Sequence, residues 1–80
     1  MSRKILDLHE YGVHLVCIKT DDKYNPYRVI RLYDGDTHRR TLIKYGDLIS
    51  VLYFLTDFYR EGLDTMTVAE QIQWIKDRMM

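Results

Sequence analysis

Few residues in this 80-residue chain could do chemistry on their own. His9, His14, Cys17 and His38 are metal-ligand types, and His14-x-x-Cys17 has the short spacing of a ligand pair. The segment that holds the pair, Val13 to Thr20 (VHLVCIKT), is β-branched, apolar and of strand length. On a strand, residues three apart point to opposite faces, so His14 and Cys17 are not expected to share an ion. Cys17, between Val16 and Ile18, reads instead as a small core residue, and desolvation disfavours the thiolate that would make it a nucleophile. The two serines fare no better. Ser2 stands near the start and Ser50 lies inside a helical pattern, neither on a strand-to-helix elbow. Gly12, Gly35, Gly46 and Gly62 are isolated, so no phosphate-cradling loop is present, and the Asp21-Asp22 pair falls in a polar loop. No catalytic, cofactor-binding or metal-binding residue is assigned on these grounds, and the chain is expected not to be an enzyme.

Charge is more informative than chemistry. Twelve Lys and Arg balance twelve Asp and Glu, but the balance is a cancellation between segments. Tyr27 to Tyr45 carries Arg28, Arg31, Arg39, Arg40 and Lys44 against Asp34 and Asp36, whereas Gly46 to Met80 carries Arg60, Lys76 and Arg78 against six acids. The first segment is therefore plus three and the second minus three. Arginines interleaved with Tyr27, Tyr33 and Tyr45 could neutralise phosphates and stack on bases, but Arg and Tyr are equally the residues of protein–protein hot spots. Arginine stems lying over the apolar surface of a half-buried sheet would also explain them.

These residues must be positioned by a single small domain, because a chain this short cannot divide its apolar content between two cores. Ten aromatic residues and 46% apolar content argue against disorder. After the strand 13–20, Asn25-Pro26 signals a turn, and Tyr27 to Tyr33 (YRVIRLY) forms the second strand. Asp34-Gly35-Asp36 supplies hairpin-turn residues, and Thr37 to Tyr45 is the return strand. Two registers are open for this hairpin: Arg31 opposite His38 with Ile30 opposite Arg39, or Leu32 opposite Arg39 with Tyr33 opposite His38. Leu48, Val51, Leu52, Leu55, Phe58 and Tyr59 then recur at helical spacing, predicting a helix over about 48 to 61, with Asp47 as N-cap and Gly62 as stop. Thr67 and Glu70 have capping-box spacing and open a second helix whose stripe is Val68, Ile72, Ile75 and Met79. Ile5 to Tyr11 alternates as a strand would, yet Gly12 could end a short helix, and the helix is the reading adopted. The expected fold is thus α+β: a short N-terminal helix, a three-stranded antiparallel meander, and two helices.

Two features of the helices point outward. Ile49, Tyr53 and Phe54 lie outside the apolar stripe of the first helix, which therefore wants cover on more than one side. Trp74 projects away from the stripe of the second, near Arg78. With the absent catalytic constellation and the segregated charge, these features lead to a non-enzymatic binding protein that docks onto another macromolecule, with a homodimer as one form. Its expected partner-binding residues are Arg28, Arg31, Arg39, Arg40, Tyr53 and Trp74. The alternative is a small nucleic-acid-binding protein that uses the basic Tyr27–Tyr45 hairpin. One cysteine, an acid after two apolar positions at the start, and no apolar run of membrane-spanning length lead to the expectation of a soluble, cytoplasmic protein. In its order of elements, though in no motif, the chain resembles some phage-encoded inhibitors of CRISPR nucleases and other small proteins of mobile elements. That resemblance implies an inhibitor or regulator acting by direct occlusion, since DNA mimicry would need strong acidity that this neutral chain lacks.

Overall fold

A computed structural model describes residues 2–33 and 38–80. Four antiparallel strands form one sheet in sequence order, β1 Arg3–Glu10, β2 Val13–Lys19, β3 Tyr27–Leu32 and β4 Arg39–Tyr45. Helices α1, Leu48–Phe58, and α2, Val68–Lys76, follow, with a 3-10 turn at Arg60–Gly62 between them. The α+β class is as expected, but the opening segment is a strand, so the meander has four strands and no N-terminal helix. The physical reason lies two residues downstream. Tyr11 and Gly12 have φ of 53° and 74°, the two left-handed residues that a tight type I′ hairpin turn requires, and Glu10 pairs directly with Val13. Gly12 thus ends a strand, and the Leu6/Leu8 alternation is sheet alternation.

Both edge strands carry a bulge, and each bulge does the same thing. On β1, Lys4 pairs with Ile18 and Leu6 with Cys17, so Ile5 is the extra residue, and both Ile5 and Leu6 are buried. On β4, Ile43 pairs with Val29 and Thr41 with Ile30, so Leu42 is extra, and Leu42 and Ile43 both pack on the core. A bulge turns two consecutive apolar residues toward one face, which a regular strand cannot do. In the β3–β4 hairpin, Leu32 faces Arg39 and the Tyr33 amide donates to the His38 carbonyl, the second of the two expected registers. The turn expected at Asp34-Gly35-Asp36 and the start of its return strand at Thr37 lie outside the described residues.

The helices close one face of the sheet. Leu8, Leu15 and Val29 from the strands meet Val51 and Leu55 of α1, Leu63, and Ile75 of α2 in a common core. Asp47 caps α1 by accepting from the Ser50 amide at 2.8 Å, and α1 gives way to the 3-10 turn earlier than the expected limit at 61. The Thr67/Glu70 capping box forms in both directions. Phe54, outside the expected stripe, finds its second cover on Tyr45 of the sheet, with ring centroids 6.1 Å apart. Val68, at the head of the α2 stripe, is instead 58% exposed. Beyond α2 the chain returns to the first strand, where Met79 bridges to Leu6 and the Met80 amide donates to the Ile5 carbonyl at 3.0 Å. Among the described residues, no helix is long and apolar enough to cross a membrane.

Candidate interaction surface

With both helices on one side, no element among the described residues covers the other face of the sheet. Pairing and alternation place Lys4, Ile18, Arg28 and Lys44 across one row of this outer face. Asp7, Val16, Ile30 and Thr41 form the next, and His9, His14, Leu32 and Arg39 the third. The two central strands thus carry four aliphatic residues, Val16 and Ile18 on β2 and Ile30 and Leu32 on β3, together with His14 and Arg28, while ionisable and polar residues occupy the two flanks. A shallow concavity of about 350 Å³ lies here, lined by Val16, Ile18, Ile30 and Leu32 together with Ser2, Lys4, Asp7, His14 and Arg39.

The β1 flank is internally paired. Asp7 accepts from Lys4 Nζ at 2.9 Å and lies 2.6 Å from His14 Nε2, whose ring stacks on that of His9. The hydrogen bond from Lys4 holds the Asp7 carboxyl below the ordinary carboxylate range, against an opposing desolvation, with His14 adding to the effect. On the opposite flank, Arg39 and Lys44 are exposed. Arg28 lays its stem against the sheet so that its Nε is buried without a hydrogen-bond partner among the described residues. His14 and Cys17 do point to opposite faces: Cys17 is buried in the core, and burial pushes its thiol up to about 11. Among the described residues, no three His, Cys, Asp or Glu side chains come together as a metal site would need.

The six expected partner-binding residues are distributed over several places. Arg28 and Arg39 share the outer face. Arg31 and Arg40 pair on the helix-side face, where the Arg31 guanidinium lies over the Tyr33 ring at 4.8 Å. Tyr53, 53% exposed, lines a groove of about 530 Å³ between α1 and α2 with Val68 and Gln71. Trp74 is half-buried at the end of the domain that holds the β1–β2 turn, its ring against Tyr11 and Tyr59 and its face under the Arg78 guanidinium at 3.6 Å. Arg78 is itself tied to Glu10 at 3.1 Å, so this cluster locks α2 to the first hairpin. Tyr59, whose hydroxyl donates to the Val13 carbonyl, is pushed up to about 12 by burial.

Sequence reasoning missed the aliphatic centre of the outer face. A signal was present: Leu15 to Ile18 and Val29 to Ile30 are apolar at consecutive positions, the pattern of strands that are apolar on both faces. Comparison with known proteins finds no matching family profile, curated protein or solved structure.

Proposed function

We propose that the chain is a non-enzymatic interaction module that docks a protein partner on the outer face of its sheet. The observation that carries this reading is the aliphatic strip of half-buried Ile18, Ile30 and Leu32 around a buried Val16, on a sheet face over which no described element packs. Antiparallel sheets with one solvated face normally make that face polar. An apolar centre with a charged rim has the anatomy of a protein interface. The basic flank of Arg28, Arg39 and Lys44 selects for an acidic partner surface.

Nucleic acid is the second reading, favoured by the same basic residues. The tyrosines that would serve as stacking platforms, Tyr27, Tyr33 and Tyr45, belong to the opposite face, and the two rings the outer face carries, His9 and His14, stack on one another. Aliphatic residues in place of stacking rings favour a protein partner. An inhibitor or regulator acting by direct occlusion, which the likeness in element order implies, is one instance of the protein-docking reading.

A photo-crosslinking side chain placed at Thr41, exposed on the rim of this face, tests the reading in the cells that make the protein. A discrete protein adduct, absent when the crosslinker sits at Asp64 beside the helices, is expected. Adducts that vanish on nuclease treatment, or none at all, would overturn the assignment.

A further inference from the structure

The two edges of the sheet are β1 and β4, and Met79 and Met80 close the first by their contacts with Leu6 and Ile5. Among the described residues, no backbone hydrogen bond from another element reaches the outer side of β4. The ladder shows which groups point outward there. The Tyr33 amide donates to the His38 carbonyl, so these two form a hydrogen-bonded pair, and the next pair, Leu32 with Arg39, is a non-bonded one. Alternation then turns the N–H and C=O of Arg39 and of Thr41 away from β3. Extended backbone running beside β4 would pair with them.

Charge decides what that backbone carries. β4 holds Arg39, Arg40 and Lys44 at exposed positions and has no carboxylate of its own. Its neighbours on β3 add to the repulsion, because Arg40 stands opposite Arg31 and Lys44 opposite Arg28. Among the described residues, none of these five cations forms a salt bridge. Asp22, held below the usual carboxylate range mainly by hydrogen bonds from the Asn25 and Tyr24 amides, senses Lys44 and Arg28 only as weaker effects. The β4 cations also stand on both faces of the sheet, Arg39 and Lys44 on the outer one and Arg40 on the helix side. A surface laid on one face meets only part of them, whereas an added strand sends alternate side chains to both.

We propose that the β4 edge takes an acidic, extended segment of a partner protein as a fifth strand, antiparallel to β4, with adjacent carboxylates beside Arg39 and Arg40. This rests on the reading of the chain as a protein-docking module and names the form in which the partner engages it. Main-chain hydrogen bonds to Arg39 and Thr41 fix the register, and the cations choose the sequence. A second copy is excluded as the occupant: two β4 edges side by side would set these cations against one another with no carboxylate on either strand to offset them.

NMR of the isotope-labelled protein tests this, with a short synthetic peptide of alternating threonine and valine that carries two adjacent glutamates toward its C-terminal end. Slow exchange with solvent is expected to appear at the Arg39 and Thr41 amides when the peptide is bound, while the Arg40 amide, already paired with β3, changes little. Added salt should weaken the binding. Thr41→Pro removes one outward donor and no bond of the ladder, which an edge strand tolerates. It is expected to weaken the peptide at least tenfold. Arg39→Glu with Arg40→Glu should do the same and should bind instead a peptide with lysines in place of the glutamates. Circular dichroism with a thermal melt checks that each variant folds. A peptide that leaves both amides unprotected at millimolar concentration, or that binds the parent and Thr41→Pro equally, would overturn the added strand. A protein adduct from Thr41 in cells would then still uphold the outer face as the docking surface.

Discussion

Gly62 lacks a side chain because Tyr11 fills the space: a Cβ built there would sit 2.5 Å from the Tyr11 ring. The same ring stacks on Trp74, and its hydroxyl donates to the Gly62 carbonyl at 3.1 Å. Gly62→Ala therefore has to displace Tyr11 and is expected to cost about 1–3 kcal/mol, read as a lower urea midpoint. Combining it with Tyr11→Ser should cost clearly less than the two changes summed, since both break one contact. Gly62 was legible as punctuation after a helix, but its reason lies 51 residues away in the chain, where no local pattern reaches. Cys17 was legible in full, because an apolar run of β-branched neighbours announces burial. With its thiol pushed up to about 11, roughly one molecule in a thousand holds a thiolate at pH 8. Its reaction with a disulfide reagent should be slow in the native protein and become fast in denaturant.

At the level of elements, the two helices are started by side-chain carboxylates. Hydrogen bonds from Ser50 hold Asp47 below its ordinary range, and hydrogen bonds from Thr67 do the same for Glu70. A carboxyl depressed in the folded state contributes stability above its unfolded value and loses it as pH falls through the folded one. Stability is therefore expected to be flat near neutrality and to decline below about pH 4, with a shallower decline for Asp47→Asn. Thr67→Ala removes one arm of the capping box and should cost about 1 kcal/mol in equilibrium unfolding at neutral pH. Both caps could be read from spacing, as could the hairpin and its tyrosines. The first strand could not, because Tyr11 is a poor announcer of a left-handed turn and Gly12 serves a hairpin and a helix end equally well. The bulges were hidden for a related reason: Ile5-Leu6 and Leu42-Ile43 look like lapses in alternation until the partner strand shows which residue is extra.

Taken whole, the molecule is a two-layer sandwich with a Cα radius of gyration of 12.5 Å. Net neutrality is a property of the sum only. The sheet edges are treated differently from one another. The β4 edge carries Arg39, Arg40 and Lys44, a common guard against unwanted strand pairing. The β1 edge is covered by Met79 and Met80 instead. Removing those two residues is expected to leave the fold in place by circular dichroism while raising light scattering on storage, as the Ile5–Leu6 edge becomes available to other chains. Unchanged scattering would show that this cover is dispensable. Chain order adds a kinetic side to the same contact. β1 emerges from the ribosome before the other strands and is covered last, so during synthesis its edge stays open to neighbouring nascent chains until residues 79 and 80 have emerged.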